Sequence, residues 1–212
     1  MRTDDFLGAL IADGEVRPAP LGQGFVLALL GGTAATAALF FATIGPRPDI
    51  ASAAQTLRFL LKFVECAALA AAAFVLVARL VRPGAAAGFG AAALIGVAAL
   101  LAGAVVTELL VVPSADWGRR LVGTNWYHCL ALIPILSIAP FAALMIAARH
   151  GAPTRPHLTG AVVGLVSAGI GAFFYAANCT DDSPLFVATW YTLATALVAG
   201  LGAAVGGRVL RW

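Results

Sequence analysis

Residues 158–177 read LTGAVVGLVSAGIGAFFYAA, a run without a single charged side chain. A helix rises about 1.5 Å per residue, so a run of about 20 residues crosses a hydrocarbon layer of about 30 Å. Five more apolar runs of similar or greater length are separated by short gaps that carry the charges, at 25–44, 59–81, 85–112, 129–148 and 185–207. The pattern predicts an all-α polytopic membrane protein with a bundle of six transmembrane helices.

The composition points the same way and excludes the ordinary soluble classes. Hydrophobic residues make up 61% of the chain and charged residues 11%, which is far from the balance of a soluble domain. The runs are too continuous for the alternating strands of a transmembrane barrel. We expect an N-terminal segment at 1–24 and a transmembrane domain at 25–212. Acidic residues occupy the start of the chain, where a secretory signal would be basic, so the first span is expected to be retained.

The distribution of Lys and Arg predicts which helix ends face the cytoplasm. With six crossings, both termini share one side with the gaps at 82–84 and 149–157, and this side carries eight basic residues. The other side carries five, which are Arg47, Arg58, Lys62, Arg119 and Arg120. By the positive-inside rule, both termini are expected in the cytoplasm. The basic pI then reflects anchoring to membrane lipid, and no direct contact with nucleic acid is predicted.

Two cysteines are predicted to lie on the non-cytoplasmic side at similar depth. Cys129 opens the fourth span and Cys179 lies in the loop between the fifth and sixth. In an oxidising compartment such a pair can form a disulfide or respond to redox conditions. Two alternatives stay open: a metal site, and two small apolar residues that never touch. Cys66 lies among Ala and Val in the second span, and packing is its predicted role.

Other groups able to do chemistry are expected near these cysteines, namely His128, Asp181, Asp182, Glu65 and Glu108. Imidazole, thiolate and carboxylate groups together suit a soft metal ion. The sequence contains no CxxC or CxxH spacing, so the presence of a metal stays undetermined. No cofactor is predicted. A structural interpretation is equally simple. Glu65 is three residues from Lys62 on one helical face and can pair with it, Glu108 can be hydrated, and His128 can reach the headgroups.

The N-terminal segment is predicted to form a short amphipathic helix on the cytoplasmic side. Acidic residues at its start suit the positive end of a helix dipole, and the apolar residues that follow make one stripe. A protein partner is the favoured cover for this stripe, with lipid contact as the alternative. The residues predicted to bind the partner are Asp4, Asp5, Phe6, Leu7, Leu10 and Ile11.

Glycine and proline predict how the bundle packs. Gly160 with Gly164, and Gly202 with Gly206, have the four-residue spacing that lets helix backbones approach closely. Pro134 and Pro140 lie inside the fourth span, where each removes a backbone donor, so a kink is expected there.

Several stretches of the chain resemble the NrsF family, most specifically in the second half. They are 1–7 (MRTDDFL), 149–160 (RHGAPTRPHLTG) with Gly164 and Leu165, 178–186 (NCTDDSPLF), Trp190 with Tyr191, and 207–212 (GRVLRW). The resemblance implies a six-span anti-sigma factor of the bacterial inner membrane. Such a protein would hold an extracytoplasmic-function sigma factor inactive and release it under stress. The family's two periplasm-side cysteines match Cys129 and Cys179, which are the implied sensing positions.

The resemblance predicts a regulator and not an enzyme, and the residues contain no P-loop, zincin or nucleophile-elbow pattern. Two functions from other classes of protein are the alternatives. A thiol-disulfide membrane oxidoreductase normally needs a resolving cysteine close by, commonly in a CxxC pair. A small-molecule transporter is expected to show midplane charges or broken helices in repeated halves. The sequence shows neither the CxxC pair nor the repeated halves. Both functions are therefore less favoured than the anti-sigma hypothesis.

Overall fold

A computed structural model describes residues 21–84 and 88–211, and within these the chain forms eight α-helices. Six of them are long and apolar enough to span a membrane, which confirms the predicted all-α bundle. The helices are α1 (Leu21–Thr43), α2 (Ile50–Ala53), α3 (Leu57–Leu80), α4 (Gly88–Val111), α5 (Trp117–Val122), α6 (Trp126–Ala148), α7 (Pro156–Ala176) and α8 (Pro184–Val209).

The boundaries of the six long helices differ from the apolar runs by a few residues at each end. Helix α1 begins at Leu21, so the last residues of the segment expected at 1–24 belong to it. Helix α3 begins at Leu57 because the Thr56 hydroxyl accepts a hydrogen bond from the Phe59 N–H and caps it. The short helices α2 and α5 were not predicted, since neither carries a long apolar run. The predicted partner-binding residues between Asp4 and Ile11 lie outside the described residues.

Helix α7 lies at the centre of the bundle, where it packs against α3, α6 and α8. Small residues such as Gly164, Ser167 and Ala168 fill its buried faces. In lipid, small side chains let neighbouring backbones approach, and the close contacts replace the hydrophobic drive that acts in water. Helix α1 packs on α6, and α4 packs mainly on α3 at the edge of the bundle.

A close backbone contact joins α7 to α8 and confirms the predicted glycine seam. A methyl group added at Gly160 would overlap the carbonyl oxygen of Gly202 and stand 2.8 Å from the Gly206 Cα. A methyl group added at Gly164 would meet the Val198 oxygen at 2.6 Å. Because backbone lies against backbone here, only glycine fits at Gly160.

A hydroxyl group of α1 replaces the hydrogen bond that a proline removes from α6. Pro140 has no N–H, so the carbonyl of Leu136, four residues earlier, loses its helical donor. The Thr36 hydroxyl donates to that carbonyl oxygen at 2.9 Å and is fully buried. Gly32 on the same face of α1 brings the backbone against Pro140. The helix is continuous from Trp126 to Ala148, and at Pro140 a neighbouring helix supplies the missing bond.

Candidate functional site

Two cysteines meet at the end of the bundle that carries the α7–α8 loop. Cys129 lies in the first turn of α6, and Cys179 lies in the loop just after α7. Both are fully buried free thiols, and they are close enough to hydrogen bond with each other. The structure therefore brings together the two predicted sensing residues, which are 50 positions apart in sequence (179 − 129).

A cluster of aromatic residues surrounds the two sulfurs. Tyr175 and Tyr191 approach with ring centroids 6.0 Å apart, and Phe186 and Cys66 belong to the same buried group. The hydroxyls of both tyrosines are buried without a hydrogen bond of good geometry, although both lie near the sulfurs. Tyr191 ends a π-helical turn at Val187–Tyr191 within α8, a local feature that is frequent at functional sites.

Asp181 links the Cys179 loop to the helix that carries Cys129. Its carboxylate accepts hydrogen bonds from the backbone N–H groups of Thr124 and Asn125 at 3.0 and 2.8 Å. The Asn125 side chain adds a third bond at 2.9 Å. These donors precede the first turn of α6, where a helix has unpaired N–H groups and a positive dipole end. A negative charge two residues from Cys179 thus holds the start of the Cys129 helix.

Asp182 joins the same loop to two basic residues from other elements. The Lys62 ammonium of α3 lies 2.5 Å from one carboxylate oxygen, and the Arg47 guanidinium lies 3.0 Å from the other. Lys62 also donates to the Cys179 carbonyl at 2.9 Å, and Arg47 donates to it at 3.3 Å. Lys62 is only 1% exposed, so these bonds replace the water that a buried ammonium loses.

Glu108 of α4 holds the start of α8. One of its oxygens accepts from the Ser183 hydroxyl at 2.7 Å and from the Leu185 N–H at 3.0 Å. The other pairs with Arg120 at 3.1 Å. The alternative interpretation of Glu108 as a hydrated residue is wrong, because the side chain is 3% exposed and is paired within the bundle. With Asp181 and Asp182, it ties the α7–α8 loop to α3, α4 and α6.

The electrostatics of the loop favour the thiolate at Cys179. The hydrogen bond from Cys129 and the nearby charge of Lys62 lower the pKa of the Cys179 thiol to about 7, against the opposing effect of burial. A thiol with such a pKa is partly ionised near neutral pH, and the thiolate is the form that reacts with oxidants and electrophiles.

The chain is similar to known proteins over nearly its whole length. A family model described as negative regulator of sigma F matches residues 11–212. The chain belongs to the NrsF family. The anti-sigma-F factor NrsF of Caulobacter vibrioides (strain NA1000 / CB15N) is 33% identical over the full length of both chains. The probable anti-sigma-F factor NrsF of Azospira oryzae (strain ATCC BAA-33 / DSM 13638 / PS) is also 33% identical over the full length of both. No solved structure matches.

In this NrsF chain, the predicted accessory residues fall into separate places. Asp181, Asp182 and Glu108 hold the cysteine loop. His128 is exposed and stacks on Tyr127, with ring centroids 4.0 Å apart, so it points away from the buried thiol of Cys129. Glu65 is buried deeper in the bundle. Within residues 21–84 and 88–211, no three Cys, His, Asp or Glu side chains come together as a metal site.

Sequence reasoning missed several residues of the NrsF site. The structural interpretation that pairs Lys62 with Glu65 is wrong. Lys62 pairs with Asp182, while Oε1 of Glu65 has no partner. Tyr175 lies four residues, or about one helical turn, before Cys179. This spacing could have predicted that the tyrosine lies beside the thiol. No sequence pattern indicated that Arg47 belongs to the site, because its partner Asp182 is 135 positions away.

Proposed function

We propose that this protein is a membrane-bound anti-sigma factor that holds an extracytoplasmic-function sigma factor at the cytoplasmic face of the bacterial inner membrane. The observation that carries the proposal is the full-length similarity to relatives named as anti-sigma-F factors. Membership in a family of negative regulators of sigma F supports it. In this proposal both termini are cytoplasmic, and the protein acts as a regulator, without a catalytic step of its own.

The proposed stress sensor is the pair Cys129 and Cys179. An oxidant that accepts two electrons would convert the two thiols to a disulfide with loss of two protons. The S–S bond is about 2.05 Å long, shorter than any hydrogen-bonded contact between thiols, so its formation would draw the loop and α6 together. The hydrogen bonds of Asp181 would carry that movement to α6, and the ion pairs of Asp182 would carry it to α3 and the α1–α2 loop.

The proposed output lies at the opposite end of the bundle. Helices α6, α7 and α8 each connect the cysteine end to the end that carries Arg149, Arg155 and Arg208, and α7 runs antiparallel to the other two. The N-terminal segment with Phe6, Leu7, Leu10 and Ile11 would supply the anchors for the sigma factor, and Asp4 and Asp5 would face a basic surface on it. The loops at 82–84 and 149–157 would complete the contact.

Recovery of the sigma factor from bacterial membranes tests both parts of the proposal. The detergent-solubilised parent protein should retain the sigma factor, and treatment of cells with diamide should release it. The double variant Cys129→Ser with Cys179→Ser should retain the sigma factor under both conditions. Cys66→Ser is the matched control and should release it like the parent. Failure of the untreated parent to retain any sigma factor would overturn the anti-sigma proposal, and release from the double variant would overturn cysteine sensing alone.

The N-terminal anchors are tested by the double variant Phe6→Ala with Leu10→Ala. Loss of a buried anchor commonly costs about 2 kcal/mol or more at an interface, which weakens binding about thirtyfold. The variant should release the sigma factor without any oxidant and should accumulate in the membrane like the parent. Equal recovery from parent and variant would place the stripe on lipid and move the contact to the loops at 82–84 and 149–157.

A further inference from the structure

A cavity of about 280 Å³ lies between α3, α4, α7 and α8. Its wall is mostly apolar and includes Leu101 and Leu165. It reaches the outer surface of the bundle beside Ala98 and Ala196, which are exposed. Because both residues lie within spanning helices, the mouth of the cavity faces hydrocarbon. The cavity is therefore open toward the lipid and not toward water.

The cavity contains a carboxyl group without a partner. Glu65 lines it, is 5% exposed, and has no hydrogen bond to its buried Oε1. An unpaired acceptor in apolar surroundings is costly, so a buried polar group without a partner needs an explanation. The carboxylates Asp182 and Glu108 at the end of the bundle both have partners. Glu65 therefore differs from them in having an acceptor position open to a ligand.

Two residues of the cysteine cluster form part of the same wall. Cys66 and Tyr191 line the cavity and also pack in the buried group around Cys129 and Cys179. The Tyr191 hydroxyl is a second buried polar atom without a partner. A molecule in the cavity would contact side chains that pack beside the thiols.

We propose that this cavity binds a membrane-soluble molecule of one or two rings, largely apolar, whose single hydroxyl donates a hydrogen bond to Glu65. The size follows from volume, since a dry cavity of about 150 Å³ holds benzene. The hydroxyl follows from the open acceptor at Oε1. A few placed polar groups in an apolar wall are typical of small-molecule sites. This site is separate from the proposed sigma-factor surface and does not depend on it.

Photolabelling of the full-length protein in detergent tests the site. The probe is 4-(trifluoromethyl-diazirinyl)benzyl alcohol, and its match without the hydroxyl is the corresponding toluene. The alcohol should label cavity residues such as Leu165 saturably, as mapped by peptide mass spectrometry. Glu65→Leu should weaken the apparent affinity of the alcohol about fivefold, the effect of one lost hydrogen bond. Glu65→Gln keeps an acceptor and should label like the parent, and neither variant should change labelling by the toluene.

Variants that fill the cavity test the site without changing Glu65. Ala98→Phe should abolish labelling of Leu165, because the ring occupies the mouth of the cavity. Ala93→Phe fills the neighbouring groove between α3 and α4, which is lined by apolar residues such as Val75 and Phe89, and should leave labelling of Leu165 unchanged. Equal saturable labelling by the alcohol and the toluene, or persistence of the label in Ala98→Phe, would overturn the proposal and make the cavity a groove for lipid chains.

Discussion

At the scale of single residues, the chemistry of the site depends on one sulfur donating to another. The hydrogen bond from Cys129 is the largest cause of the lowered pKa of Cys179, which is about 7. The Cys179 thiolate should therefore form as the pH rises through 7 and be lost as the pH falls below it. Replacing the donor tests this cause directly.

We expect the reaction of Cys179 with methyl methanethiosulfonate to show a pH midpoint near 7. In a Cys66→Ala background, Cys129→Ala removes the donor and should move the midpoint up, toward the ordinary value of about 8.5. Cys129→Ser keeps a donor and should give a smaller change. Mass spectrometry of the modified peptides identifies the reacting cysteine. One midpoint shared by all three proteins would contradict the role of Cys129.

A second prediction concerns the buried ammonium of Lys62. Lys62→Met leaves Asp182 with one basic partner and removes two donors to loop carbonyls. Breaking a buried pair on one side should cost about 2 kcal/mol or more. The measurement is unfolding of the purified protein by SDS, followed by tryptophan fluorescence. The exposed pair of Arg119 and Asp116 provides the control, and Arg119→Met should change stability by less than about 0.5 kcal/mol. Equal effects of the two substitutions would contradict the importance of the Lys62 pair.

At the scale of helices, the glycine seam fixes how α7 and α8 pack. Gly160→Val places a branched side chain against the carbonyl of Gly202 and should destabilise the bundle by about 3 kcal/mol. Gly200 lies on the same helix as Gly202 but has nothing within 4 Å of an added Cβ. Gly200→Val should therefore be close to neutral. SDS unfolding compares the two variants, and similar loss in both would mean that helix propensity outweighs packing.

The proline in α6 allows a test by rescue. Thr36→Val removes the hydroxyl that donates to Leu136 and should cost about 1 to 3 kcal/mol, since the carbonyl stays buried without a donor. Pro140→Ala returns the helical N–H to that carbonyl. The double variant should therefore lose less stability than the sum of the two single variants. Thr43→Val serves as control because the exposed Thr43 bonds within its own helix. Additive losses would contradict this account.

The helices were predictable from the sequence, whereas most partners at the site were not. Runs such as 158–177 specify a span by length and polarity, and the spacing of Gly160 and Gly164 specifies a packing face. Hydrophobic patterns report burial but do not report which distant residue supplies a partner. Local spacing wrongly suggested Glu65 as the partner of Lys62. His128 follows the same logic: successive residues of a helix point about 100° apart, so the neighbour of a buried cysteine faces outward.

At the scale of the whole molecule, the two ends of the bundle differ in charge and in proposed compartment. Arg119 is 80% exposed at the cysteine end, and Ala152 is exposed at the other end. In a variant with its native cysteines replaced by alanine, Arg119→Cys should react with a membrane-impermeant maleimide in intact cells with a permeable outer membrane. Ala152→Cys should react only after lysis. The reverse pattern would invert the orientation and place Cys129 and Cys179 on the cytoplasmic side.

The ion pair between Lys62 and Asp182 also has a consequence for biosynthesis. The two residues are 120 positions apart (182 − 62), and at about 5 to 20 residues per second the ribosome makes the second about 6 to 24 seconds after the first. During that interval α3 is already made, and its ammonium has no carboxylate from the loop. A nascent chain that stops before Asp182 therefore lacks the carboxylate that pairs with Lys62. Synthesis of the α7–α8 loop is the step that supplies the partner of this buried ammonium.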